Sequence, residues 1–155
     1  MVHLVGVDHM IQHGGAMTEV KKRFVDVFAV YLESSARELK VTEIAEEFSQ
    51  DALGKSNTIY CTAREVAAKL GIRHRFCDPT AEERRQYDIF TDDHREQFWL
   101  RRLSGPKEED ILFICGDNHI ENFSRRLTEA GYSNKILSRR WGFELQDPKV
   151  YWSDT

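Results

Sequence analysis

The chain has 155 residues, of which 41% are hydrophobic and 31% are charged, and its formal net charge is −4. These values are typical of a soluble domain with a packed core and exclude a disordered chain. The negative charge argues against a nucleic-acid partner, since such proteins concentrate Lys and Arg to displace phosphate counterions. No apolar stretch reaches the roughly 18 residues that span a bilayer, and Asp8 interrupts the segment where a signal peptide would be apolar. We expect one cytoplasmic domain, residues 1–155, without a membrane partner.

The cysteines support the same compartment. Cys61, Cys77 and Cys115 are odd in number and show no CxxC spacing. Reduced thiols are typical of that pattern in a cytoplasmic protein, whereas a secreted disulfide framework uses an even number.

The first predicted strand, His3-Leu4-Val5, leads into the phrase Gly6-Val7-Asp8-His9. Thr18 then suits the N-cap of a long helix that ends near Lys40, because apolar residues recur through it at helical spacing. The segment 41–48 fits either a strand or a helix, and we favour a strand because it would complete a β-α-β unit.

An irregular connection is predicted over 49–57, followed by a helix from Ile59 to Leu70 that Gly71 ends. The segment 72–77 alternates like a strand and stops at Asp78-Pro79, where proline ends the hydrogen-bonded ladder. Two further helices are expected over 81–87 and 93–103.

The apolar run 111–115 is a predicted strand that leads into the second Gly-x-x-His phrase, Gly116-Asp117-Asn118-His119. A helix stopped by Gly131 and a last strand over 134–137 complete the pattern. Alternating strands and helices predict an α/β fold with a mostly parallel sheet of about five strands, flanked by helices.

The repeated phrase is the best functional clue. Ligands of open α/β sheets bind at the carboxyl ends of the strands, so adjacent strands would bring His9 and His119 into one crevice. Two imidazoles with a carboxylate suit a divalent ion such as Mn, Co, Fe or Zn. Glu46, Glu47 and Asp78 lie at the other strand ends. We assign His9, Glu46 and His119 as metal ligands and Glu47 and Asp78 as catalytic groups, with Asp78 also a candidate fourth ligand.

With these residues the chain resembles the TraB/TIKI superfamily, which includes erythromycin-esterase-like and ChaN-like proteins. That group carries two Gly-x-x-His motifs, one after the first strand and one late in the domain, and a glutamate at the end of another core strand. The counterparts here are Gly6 to His9, Gly116 to His119, and Glu46 or Glu47. The resemblance implies an α/β fold with a metal-dependent hydrolytic site.

The sequence therefore favours a metal-dependent hydrolase that acts on a small molecule or a peptide, with water activated by the ion and a carboxylate as proton acceptor. The alternative is a non-catalytic module that binds a small molecule or nucleotide in the same crevice, with anions favoured at the helix N-termini after Gly6 and Gly116. Exposed edge strands in so small a sheet favour a homodimer.

Overall fold

The computed structural model describes residues 1–13, 16–55, 60–103, 105 and 107–153. Strands and helices alternate along the chain, as the sequence predicts. The strands are β1 (Val2–Val7), β2 (Glu43–Glu46), β3 (Arg73–Phe76), β4 (Ile111–Gly116) and β5 (Asn134–Trp141). The helices are α1 (Glu19–Glu38), α2 (Gln50–Lys55), α3 (Thr62–Leu70), α4 (Ala81–Gln86), α5 (Asp92–Arg102), α6 (Ile120–Glu129) and α7 (Pro148–Tyr151).

The strands form one five-stranded sheet in the order β3-β2-β4-β1-β5, and every neighbouring pair is parallel. Helices α1 and α3 pack on one face of this sheet, and α5 and α6 pack on the other. The predicted α/β architecture is confirmed. Among the described residues, no helix has both the length and the apolar character needed to cross a membrane.

The path of the chain creates a crevice between β1 and β4. After β1 the chain passes to α1 on the first face, whereas after the adjacent β4 it passes to α6 on the second face. The two connections diverge, so the carboxyl ends of β1 and β4 lie at a topological switch point, where open α/β sheets bind ligands.

Alternation along the central strands fills both faces of the sheet. In β1, Val5 and Val7 join the core under α1 and α3, while Val2 and Leu4 join the core under α5 and α6. Because both faces are covered, the central strand β4 is apolar throughout rather than alternating with polar residues. The three cysteines are free and buried.

Several element boundaries differ from the predictions. The segment 41–48 does contain a strand, but regular pairing covers only Glu43–Glu46. The irregular connection predicted over 49–57 is wrong for its first part, since α2 covers Gln50–Lys55; residues 56–59 lie outside the described chain. The last strand is longer than predicted and runs to Trp141, since parallel pairing with β1 extends it beyond its apolar residues.

Candidate functional site

The two Gly-x-x-His phrases meet at the switch point. Strands β1 and β4 pair in register, with Gly6 opposite Cys115 and Val7 opposite Gly116. Each phrase then enters a short 3-10 turn, over His9–Ile11 in the first and Asp117–His119 in the second. The prediction that adjacent parallel strands deliver the two histidines is confirmed.

Each glycine makes room for the other phrase. A Cβ atom on Gly6 would overlap the Asp117 carboxylate and lie 2.9 Å from Ile120 Cγ1. A Cβ atom on Gly116 would lie 3.1 Å from His9 Nε2. Neither strand end could approach the other so closely with a larger residue, and this explains the glycine in both copies.

Glu47 lies between the two histidines. His9 Nε2 is 3.6 Å from Glu47 Oε1, and His119 Nε2 is 3.6 Å from Glu47 Oε2. Oε1 also accepts a hydrogen bond of 2.8 Å from the backbone N–H of Gly116. Glu47 and His119 are buried, whereas the His9 side chain is 46% exposed. A ligand therefore has access to the cluster from the His9 side.

The Nδ1 atoms fix how both histidines present their Nε2 atoms. His9 Nδ1 is 2.6 Å from Gln12 Oε1 and His119 Nδ1 is 2.8 Å from Glu96 Oε1. Gln12 also donates from Nε2 to Glu46 at 3.0 Å, so its carbonyl oxygen must face His9. Both Nδ1 atoms consequently donate, and in the neutral form each imidazole turns an Nε2 lone pair toward Glu47.

Arg95 holds the opposite side of Glu47. It donates to Glu47 Oε2 and, from Nε, to Asp78 Oδ1 at 3.0 Å. Burial opposes the cation, but Asp78 and Glu47 outweigh it and raise the pKa of Arg95 above its usual value. Asp78, a predicted catalytic group, also accepts from Trp99 Nε1 at 2.9 Å and from Arg84 at 2.7 Å. Its oxygens thus anchor Arg95 and the neighbouring donors.

Glu46, expected beside the histidines, lies on the other face of the sheet. Its carboxylate accepts from Gln12, from the Cys61 thiol and from His74. The reason is strand alternation: Ile44 belongs to the core under α3 and Ala45 to the core under α5. Glu46 therefore points toward α3 and Glu47 toward α5. The position beside the histidines, where we expected Glu46, is occupied by Glu47.

Three residues of the site carry no motif signal. Gln12 lies three positions after His9, and Arg95 and Glu96 come from α5. One sequence pattern does indicate a special role for Glu96. It lies at helical spacing from Trp99 and Leu103, which are buried, so a charged residue occurs on an otherwise apolar helix face.

His13 also lies beside the cluster, although the sequence suggests no more than a structural or solvent role. Its ring stacks on Phe48 with 3.4 Å between centroids and lies 6.3 Å from the His9 ring. Burial, with smaller contributions from His9 and Lys21, lowers the pKa of His13 to about 4. At neutral pH it therefore adds no positive charge to the site.

Comparisons of this chain with protein-family models, with curated proteins and with solved structures find no match. The class that the fold and site define is thus an α/β protein with a histidine-carboxylate cluster at its switch point, and its function must be argued from that cluster.

Proposed function

We propose that this protein is a metal-dependent hydrolase, with a divalent ion held by His9 Nε2, His119 Nε2 and the Glu47 carboxylate. One observation carries the proposal. Each imidazole Nε2 lies 3.6 Å from one oxygen of the same Glu47 carboxylate, and the Nδ1 hydrogen bonds leave the Nε2 atom of each neutral imidazole free to act as an acceptor on the side of Glu47. Three acceptors that face one another favour a cation between them.

The donor set and the space around it fit such an ion. Ligand bonds of about 2.1 Å place neighbouring donor atoms roughly 3.0–3.5 Å apart, and the two histidine–Glu47 separations of 3.6 Å are close to that range. The donor atoms of His9, His119 and Glu47 do not all lie within 4.8 Å of one another, so the two rings would have to move closer together to hold one ion. The absence of a side chain on Gly116 keeps the region beside His9 Nε2 and Glu47 Oε1 open. Gln12 and Glu96 orient the imidazoles in the way that outer partners orient metal-ligating histidines.

A divalent ion in this position would lower the pKa of a bound water and polarise a scissile carbonyl or phosphoryl group. The residues of the chain then have separate tasks. Arg95 holds the Glu47 carboxylate in place, while Asp78 holds Arg95 in place. Exposed His9 marks the side from which a small-molecule or peptide substrate approaches, and buried His119 closes the opposite side.

The test combines metal content with turnover in His9→Gln, His119→Gln and Glu47→Gln. Protein without a histidine tag is stripped with chelator, loaded separately with Mn²⁺, Co²⁺, Fe²⁺ and Zn²⁺, and assayed on ester, peptide and phosphoester substrates. We expect the wild type to bind metal and turn over at least one substrate class. Each variant should bind at least roughly tenfold more weakly, since ligand loss exceeds the 10- to 100-fold effect of losing an outer partner.

His94→Gln is the matched control, because His94 lies in the exposed first turn of α5, where its backbone N–H donates to Thr91 and its side chain makes no hydrogen bond to the described residues. It should behave as the wild type. Unchanged metal binding in all three site variants would refute the site. If metal binding depends on the three residues but no substrate is turned over, the hydrolase proposal is refuted. The non-catalytic binding module then becomes the favoured function.

A further inference from the structure

A second group of metal-ligating side chains lies behind the site, around Glu46. One carboxylate oxygen of Glu46, Cys61 Sγ and one ring nitrogen of His74 all lie within 4.8 Å of one another. Cys61 Sγ is 3.2 Å from Glu46 Oε2, and His74 Nε2 contacts the same oxygen. Glu46 and Cys61 are completely buried, and the His74 side chain is 11% exposed.

Three separate elements deliver these groups. Glu46 ends β2, His74 lies opposite Ile44 in the neighbouring β3, and Cys61 is the residue before α3. Parallel pairing sets the distance between the two strands, and the packing of α3 on the same face brings Cys61 over them. Because the three residues are far apart in sequence, only the fold assembles the group.

The surroundings are apolar. Cys61 packs in a cluster with Phe48 and Leu53, with Phe76 against it, and the Phe76 ring also meets the His74 ring edge-on at 4.5 Å between centroids. A water-poor shell of this kind strengthens bonds between an ion and charged ligands.

We propose that Glu46, Cys61 and His74 form a binding site for a Zn²⁺ ion that is separate from the hydrolytic site and stabilises the fold. A thiolate, an imidazole and a carboxylate are the three ligand types of protein zinc sites. Zinc bonds of about 2.3 Å to sulfur and 2.0 Å to oxygen give a tetrahedral S···O separation of roughly 3.5 Å. The observed 3.2 Å is close to that value.

Binding replaces protons that now occupy the cluster. The S–H bond of Cys61 and the Nε2–H bond of His74 break as Zn–S and Zn–N bonds form. The thiol proton leaves to solvent, and the proton that His74 gives up at Nε2 is carried on Nδ1 instead. Burial and Glu46 raise the pKa of the Cys61 thiol, whereas the backbone N–H of Arg64 at the start of α3 lowers it.

The two sites communicate through Gln12. Glu46 Oε1 accepts from Gln12 Nε2, and Gln12 Oε1 in turn accepts from His9. An ion on Glu46 would fix the carboxylate that orients Gln12, and thereby the ring of His9. The zinc site does not require the hydrolytic proposal, because within the described chain no side chain of its three ligands forms a hydrogen bond or an ion pair with His119 or Glu47.

Cobalt(II) titration of the chelator-stripped, reduced protein tests the proposal. A thiolate ligand gives a near-ultraviolet sulfur-to-cobalt charge-transfer band, which a site of histidines and carboxylates lacks. We expect the band in the wild type, with an amplitude that corresponds to one thiolate-bound cobalt ion per chain, and we expect Zn²⁺ to displace it. It should be absent in Cys61→Ser, and His74→Gln should weaken cobalt binding at least roughly tenfold.

Cys77→Ser is the matched control, since Cys77 is equally buried but lies in the core under α5. It should keep the band. His119→Gln should keep it too, so failure of the hydrolytic site and failure of this site are distinguishable. Because Cys61→Ser could unfold the chain, X-ray absorption of the zinc-loaded wild type gives an independent reading, with one sulfur ligand expected at about 2.3 Å.

A wild type that shows no charge-transfer band, a band that persists in folded Cys61→Ser, or a zinc shell that contains only nitrogen and oxygen would each overturn the proposal.

Discussion

Replacing Glu96 by glutamine should move a proton on His119 from one ring nitrogen to the other. In the wild type, Glu96 Oε1 accepts from His119 Nδ1, and Oε2 accepts from Arg126 Nε at 3.0 Å and from Asn122 Nδ2. The Asn122 amide cannot turn over freely because its Oδ1 accepts from Arg125. The carbonyl of the new glutamine must therefore face Arg126 and Asn122, and its NH₂ must face His119.

Nδ1 then becomes an acceptor, and the imidazole proton moves to Nε2, where it points at Glu47. To recover the metal-binding tautomer, the new amide would have to turn its NH₂ toward Arg126 and Asn122. Two partly buried donors would lose their acceptor, at about 1–3 kcal/mol each. Even the lower total of about 2 kcal/mol corresponds to a loss of roughly 30-fold in metal affinity and in turnover.

The tautomer of His119 can be observed directly by long-range ¹H–¹⁵N NMR, beside metal titration and turnover measurements. Glu129→Gln is the control, because it also removes one negative charge that pairs with an arginine, but its side chain is 62% exposed. It should change none of the three readings. A Glu96→Gln protein in which His119 keeps its proton on Nδ1 and binds metal as the wild type does would refute the reasoning.

Two further predictions concern the same region. Gly116→Ala should reduce metal binding and turnover by at least about tenfold while the fold stays intact. The new Cβ would lie 3.1 Å from His9 Nε2 and 3.3 Å from Glu47 Oε1. This overpacking should lower the free energy of unfolding by about 1–3 kcal/mol. Gly54→Ala, whose Cβ would meet nothing within 4 Å, should leave binding unchanged, as metal titration and thermal melting can check. The third residue to test is His13, whose pKa is about 4 in the folded state and 6.5 in the unfolded state. As the pH falls, the unfolded chain therefore takes up the proton first. The free energy of unfolding should decrease as the pH falls from 6.5 toward 4. Between pH 7 and 5 the free energy of unfolding should fall by about 1 kcal/mol, after allowance for solvent screening of the partly buried ring. In urea unfolding experiments, His13→Gln should lack this decrease. An equal pH dependence of the wild type and His13→Gln would contradict the prediction.

The sequence by itself determined the class of fold and the place of the site. Strand-like and helix-like periods alternate clearly enough to predict the parallel sheet, because each period reports which side chains face a core. The glycine after each apolar run indicated strand ends that carry histidines. Parallel β1 and β4 then bring His9 and His119 together, since the carboxyl ends of parallel strands share one edge of the sheet.

The tertiary structure decided which carboxylate stands with the histidines. Alternation shows that Glu46 and Glu47 face opposite sides, but the side that α5 covers depends on how the chain crosses the sheet. Only the strand order puts Arg95 of α5 beside Glu47 and Glu96 beside His119, and only the packing of α3 puts Cys61 beside Glu46. Such contacts join residues that are remote in sequence, so local periodicity carries no information about them. They form only when each helix packs on one face of the sheet.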